Sequence, residues 1–229
     1  MFLHLGIHWL GNKKIPKTLL ELLNTGGTQM VGCFLYEPKE FNYPNLTSIS
    51  LEAFDLHIKL YEGYIKKLNE IITEYKTVNK DAANHNYSHV RELLIEKSHN
   101  YNSMILHEQF FSSLSAHPKP PSEYFKKAIE KEFITWGEYL MDLEATAMSS
   151  RAGWAVTVYN KKENKFQNFA LDLHDMHVPI QADPIVVIDT WEHSFMIDHG
   201  INKGKYVKAV MQEIDWGKIS DTIEGLCCN

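Results

Sequence analysis

The sequence predicts an α+β fold, in which an N-terminal antiparallel helical hairpin domain precedes a C-terminal α/β domain with a small three-stranded antiparallel sheet. Three observations predict it. Two long stretches carry apolar residues at helical spacing and are split by a polar, Asn-rich break at residues 79–86. The segment His117-Pro118-Lys119-Pro120-Pro121 then sets three prolines within four residues, which no helix continues through. From Trp154 onward β-branched and aromatic residues dominate. The expected division is an extension of unknown role at 1–45, a hairpin domain at 46–117 and the second domain at 118–229.

The elements follow in order. A turn-rich stretch from Pro38 to Pro44 ends the extension, and Ser48 or Ser50 can cap a helix starting near Leu51. Its stripe is Phe54, Tyr61, Tyr64, Ile65, Leu68, Ile71 and Ile72, and a second long helix runs from about His89 to Leu114. Two helices joined by so short a break make an antiparallel hairpin. After the prolines, Ser122 opens another helical stretch, and Ile134 to Met148 reads as a further one. Trp154 to Tyr159 and Phe166 to Leu171, separated by the polar turn Asn160 to Lys165, read as a β-hairpin. The unbroken apolar run Pro184 to Ile188, ending in Asp189, reads as a buried strand. Two helices follow, with Gly200 and Gly204 as punctuation between them, ending near Trp216.

Composition narrows the function. Of 229 residues, 44% are apolar, and 5 Trp, 11 Tyr and 11 Phe supply a large core, which excludes disorder as the main state. The 23 basic and 29 acidic residues are interspersed and leave a net charge of -6, so the chain lacks the basic stripe of a nucleic-acid binder. No apolar run approaches the ~20 residues that cross a bilayer. The first twenty residues place apolar residues before Lys13, Lys14 and Lys17, the reverse of a secretory signal, so a cytoplasmic protein is expected, with organellar targeting the alternative. Three cysteines, Cys33, Cys227 and Cys228, form no disulfide scaffold, whereas histidine is plentiful at twelve. A metal site here would use imidazole and carboxylate.

Asp189-Thr190-Trp191-Glu192-His193 stands where the buried strand gives way to a helix. If that turn is helical, Asp189 and His193 project to one side as two ligands a few ångströms apart. An Asp capping a helix, with a His in its first turns, is the structural alternative. His57 shares the stripe of Tyr61, Tyr64, Leu68 and Ile72, and His107 precedes Phe110, Phe111 and Leu114, so both face inward. Singly, each reads as a core histidine bonded to backbone or carboxylate; jointly with Asp189 and His193, they fit a metal held between the two domains.

These residues sit in motifs that resemble the iron/manganese superoxide dismutases. Asp189-Thr190-Trp191-Glu192-His193-Ser194-Phe195, with Tyr206-Val207 and Ile214-Asp215-Trp216, is similar to the family's C-terminal signature. Leu106-His107-Glu108-Gln109-Phe110-Phe111 is similar to its second helix, and Ala152-Gly153-Trp154-Ala155-Val156 to the start of its sheet. The likeness runs from about Ser50 to Trp216. It implies a superoxide dismutase with one iron or manganese ion per subunit held by His57, His107, Asp189 and His193, and a homodimer with Glu192 near the interface. It also implies that Trp154 and Trp191 wall the metal and that Tyr64, or else Tyr61, is the gateway tyrosine. A glutamine that bonds metal-bound solvent in many members is missing. Ser103 stands at its helix position, and His174, with His177 as rival, resembles a histidine used instead.

Other departures are Tyr61 in place of a second histidine one turn after His57, and Met196 in place of a tyrosine that bridges the dimer. Lys203 replaces the usual Arg that attracts the anionic substrate, and together with Lys59 would form a positive mouth. Two alternatives from other classes remain at this point: a catalytically weak or inactive dismutase-like structural protein, and a mononuclear non-haem iron oxygenase, against which the third histidine argues.

Overall fold

The computed structural model describes residues 35–227. The basic cluster of the extension, Cys33 and Cys228 lie outside the described residues. Two long helices come first, α1 (Leu51–Thr77) and α2 (His89–Ser113). Contacts run Phe54 to Phe111, Tyr61 to His107, Tyr64 to His99 and Glu74 to His89, so the numbers fall on one helix as they rise on the other and the pair is antiparallel. Of the two candidate caps, Ser50 takes the role, its Oγ accepting from the amide of Ala53 at 3.2 Å. Ser88 caps α2 in the same way through Arg91 at 3.1 Å, each cap being worth about 1 kcal/mol.

Ser122 opens α3 (Glu123–Phe133), and α4 (Trp136–Ser149) follows. The expected start of α4 at Ile134 is corrected by two residues. Thr135 accepts from Glu138 N at 3.1 Å, an N-cap that fixes the first turn, and its hydroxyl lies 3.3 Å from the Glu138 carboxylate. Ile134 therefore sits outside, with φ 64°. The sheet is β1 (Gly153–Asn160), β2 (Lys165–Asp172) and β3 (Ala182–Asp189), in the order β2-β1-β3 with both pairings antiparallel. Its central strand begins at Gly153, where a Cβ would fall 1.9 Å from the carbonyl oxygen of Leu171, so only glycine fits. Pro184 lies on the edge strand β3 at a shift in register opposite Val158, where its missing N–H costs no regular ladder bond.

Three helices follow the sheet: α5 (Glu192–His199), α6 (Lys203–Gln212) and α7 (Trp216–Cys227). Two expectations fail here. Gly204 lies within α6, not between helices; the break is made by Gly200, whose φ of 56° ends α5. The chain also continues as α7 because Trp216, Ile219 and Ile223 form a buried stripe at helical spacing. Ser122 ties this helix to α3, its amide donating to Ser220 Oγ at 3.0 Å and its hydroxyl to Glu224 at 2.6 Å.

One continuous apolar cluster joins the hairpin (Phe54, Leu68, Phe110), the sheet (Val156, Ile188) and the later helices (Tyr206, Ile219). Within it, Tyr139 of α4 donates to Thr157 of β1 at 2.8 Å, and Thr157 passes its own proton to Asn168 of β2 at 2.6 Å, so buried hydroxyls are satisfied across three elements. Among the described residues, no helix is long and apolar enough to cross a membrane.

Candidate metal centre

Four elements deliver one polar side chain each to a common point. His57 projects from α1 and His107 from α2; Asp189 is the last residue of β3, and His193 belongs to the first turn of α5. His57, His107 and Asp189 are buried, and the His193 side chain is a quarter exposed. Asp189 and His193 do not meet through a helical turn, as the spacing suggested. The helix starts only at Glu192, and the intervening strand-to-helix bend is closed by the amide of Trp191, which donates to Asp189 Oδ1 at 2.8 Å.

With Oδ1 thus occupied, Asp189 turns Oδ2 to the three imidazoles. It lies 3.1 Å from His57 Nε2, 3.3 Å from His193 Nε2 and 3.8 Å from His107 Nε2. One ligand atom from each of the four residues falls within 4.8 Å of the others. His107 Nδ1 is 2.7 Å from the carbonyl oxygen of Ser103 and 3.2 Å from its hydroxyl. A carbonyl only accepts, so the proton is on Nδ1 and Nε2 presents a lone pair to the cluster.

Burial holds His57 below its ordinary pKa despite the bond to Asp189, and holds His107 well below it, so both are neutral near pH 7. Burial alone would raise the Asp189 carboxyl, but the close approach of His193, then the bond to His57, outweighs it and keeps the group well below its usual value. Deprotonated imidazoles around an ionised carboxylate are the state a cation needs. Two observations show the fit. His107 Nε2 and His193 Nε2 are buried with no hydrogen-bond partner, which is costly unless something else occupies them. Donors about 2.1 Å from one ion and about 90–110° apart lie about 3.0–3.4 Å from each other, as the closest pairs here do. Three nitrogens and one oxygen suit a redox ion with a free position better than a thiolate-lined zinc site.

Comparison with known proteins agrees with this donor set. The family model of the iron/manganese superoxide dismutase C-terminal domain matches residues 121–222. A superoxide dismutase [Fe] of Aquifex pyrophilus is 33% identical over 200 residues, spanning 85% of this chain and 93% of the relative. The chain belongs to the iron/manganese superoxide dismutase family. Superoxide dismutase [Fe] of Aquifex aeolicus is 32% identical over the same shares of both chains. Superoxide dismutase [Mn] 1 of Halobacterium salinarum is 30% identical over 169 residues, 73% of this chain and 82% of its own.

Around the four donors, the superoxide dismutase fold packs the other residues singled out in the sequence. Trp154 Nε1 donates to His174 Nδ1 at 3.0 Å, and His174 Nε2 lies 3.1 Å from the Tyr64 hydroxyl. Because an indole N–H only donates, the His174 proton sits on Nε2 and points at Tyr64. Burial, reinforced by the neighbouring His99, drives the pKa of His174 down to about 3, so the ring is neutral. Trp191 stacks on it with ring centroids 4.9 Å apart and also faces His193 at 5.9 Å. His174 is fully buried, whereas His177 is exposed and its only ion-pair partner among the described residues is Asp172, at 3.9 Å.

The two tyrosines also separate. Tyr64 contacts His107 and His174, while the Tyr61 hydroxyl accepts from the amide of Lys39 at 2.9 Å and donates to Glu108 at 3.0 Å. Glu108 is closed on its other oxygen by Lys39 Nζ. Lys203 is not free to form an open mouth. Its ammonium donates to the Ser150 carbonyl at 2.6 Å and hydroxyl at 3.2 Å, and Ser150 is bonded to Thr190, next to Asp189. Lys59 is exposed. Sequence reasoning missed His99 and Asp175, which meet at 3.4 Å beside His174. The available signal was that His99, Ser103 and His107 recur every four residues along α2.

Proposed function

We propose that His57, His107, Asp189 and His193 hold one iron or manganese ion and that the protein disproportionates superoxide. The observation that carries this reading is the convergence of four donor atoms within 4.8 Å, with two imidazole nitrogens left unbonded. The bound ion supplies the one-electron chemistry by which one superoxide is oxidised to dioxygen and a second is reduced to peroxide, with two protons taken up.

The chain's own residues do the rest. The amide of Trp191 fixes the orientation of Asp189, and the Ser103 carbonyl fixes that of His107. Trp154 sets the His174 tautomer, and the Nε2–H of His174 donates to Tyr64. Burial together with the Asp189 charge, opposed by a hydrogen bond with Ser103, raises the pKa of the Tyr64 hydroxyl, so its proton is retained at neutral pH. Trp154 and Trp191 supply apolar walls that exclude competing ligands. Retention of all four donors disfavours an inactive structural relative.

The same reading makes the protein a homodimer. Glu192 is exposed beside His193, and Met196 and Ile197 expose about half their surface on the next turn of α5. Apolar contact there takes the place of a bridging tyrosine. The reading further divides the chain at the His117–Pro118 junction, with the ion between residues 46–117 and 118–229, and assigns the protein to the cytoplasm, in keeping with its three cysteines. The test joins rate to product stoichiometry: metal-loaded protein with no added reductant consumes superoxide faster than the spontaneous reaction and yields one peroxide for every two superoxide consumed, and metal-stripped protein does not exceed the spontaneous rate.

A further inference from the structure

His174 is held unusually tightly for a loop residue. It follows β2 in a segment where Leu173 and His177 both have positive φ, 62° and 64°, a backbone that L side chains adopt only under tertiary constraint. Its two nitrogens are fully used by Trp154 and Tyr64, so it has no atom left with which to accept a hydrogen bond from another neighbour. The constraint must therefore come from packing and from the residues beside it.

The next residue supplies it. Asp175 reaches α2 with both carboxylate oxygens: Oδ1 lies 3.4 Å from His99 Nδ1, and Oδ2 lies 3.2 Å from Ser98 Oγ, whose proton has a nearer acceptor in the Ile95 carbonyl at 2.7 Å. The ring of His99 then stands edge-on to that of His174, with centroids 4.6 Å apart and planes at 72°, and touches Tyr64 at 6.2 Å. Helix α2 also carries His107, two turns further on. The loop is thereby registered to the same rigid helix that presents one of the four donors, and the His107 and His174 rings are kept 5.8 Å apart.

We propose that His99, tied to Asp175, is a positioning residue for superoxide disproportionation, fixing the ring of His174 against Tyr64 without itself touching the ion or the substrate. This rests on the function proposed above. It makes no use of proton transfer through His99, because neither nitrogen of His174 is free to receive one.

The test compares His99→Ala with His99→Asn. Asparagine keeps a donor near the position of Nδ1 and can still bond Asp175, while losing the ring contact. In metal-free protein, the ¹⁵N resonances of the His174 imidazole are expected to report a single Nε2–H tautomer. His99→Ala shifts them toward tautomeric averaging, and His99→Asn lies between. In the metal-loaded protein His99→Ala keeps its metal and its KM but loses about tenfold in kcat, partly restored in His99→Asn. An unchanged His174 spectrum, or a changed spectrum with unchanged turnover, overturns the proposal. Should the metal-loaded parent fail to consume superoxide, the proposed function falls, and the metal-free spectra still decide whether His99 positions His174. Because the His99 side chain is a quarter exposed, the alanine variant is expected to fold; if it does not, His99→Asn carries the comparison.

Discussion

At the four-donor cluster, Nε2 of His107 and of His193 are buried without a hydrogen bond; at His174, whose ring lies 5.8 Å from that of His107, both nitrogens are bonded within the protein. The two regions share elements and burial, yet the first is incomplete as a purely protein structure and the second is complete. That difference separates two jobs. The incomplete cluster holds a carboxylate and three imidazoles for a cation, two of them with Nε2 unbonded, at a cost in desolvation of several kcal/mol. The complete one is a fixed frame whose contribution is geometry.

Substitutions test the contrast most sharply where it is largest. Asp189→Asn removes the only charge among the four donors. Metal content and turnover are expected to fall by about a hundredfold or more, beyond what loss of a supporting residue produces. Thermal melts without metal should move in the same direction: interactions with His193 and His57 hold the Asp189 carboxyl well below its usual pKa, so its charge stabilises the fold at neutral pH and the amide variant melts lower than the metal-free parent. Retention of metal by the variant, measured by elemental analysis, would break the distinction between the regions.

His174→Ala is the matching change in the complete region. It leaves Trp154 Nε1 and the Tyr64 hydroxyl without their partner, so metal content stays near that of the parent while turnover falls by about ten- to a hundredfold. A parallel loss of metal would mean that the two regions are one.

The smallest effect on catalysis is expected at Tyr61. Its hydroxyl serves the Lys39 amide and Glu108, away from the donors, so Tyr61→Phe should cost about 1–3 kcal/mol of stability in a denaturant melt and leave turnover unchanged. Tyr64→Phe should do the reverse. Equal losses of turnover in both variants would erase the division between the two tyrosines.

Much of this was legible in the chain. His57 and His107 stand on inward stripes of long helices, and Asp189 and His193 stand at a strand end, so pattern makes them candidates and the resemblance to the family's motifs joins them as one ligand set. The preference for His174 over His177 rests on resemblance, because spacing does not separate them. Both lie in one short loop, and what buries the first is the indole N–H of Trp154, twenty residues away, together with backbone conformations that no local pattern announces. Lys203 misled for a similar reason, since the Ser150 acceptors that tie it down come from the end of α4. Helix α7 was missed although its stripe was visible, because the extreme C-terminus is a place where order is not expected. The pairing of His99 with Asp175 depends on a loop folding back across a helix, which spacing cannot express.

Pulsing superoxide onto protein reloaded with iron or with manganese, in the absence of any reductant, and counting dioxygen and peroxide decides whether the four donors serve disproportionation. Rapid consumption with equal yields of the two products is expected, and none above the spontaneous rate for metal-stripped protein. Peroxide formed only when a reductant is supplied, or consumption no faster than the spontaneous reaction with either metal bound, would contradict it.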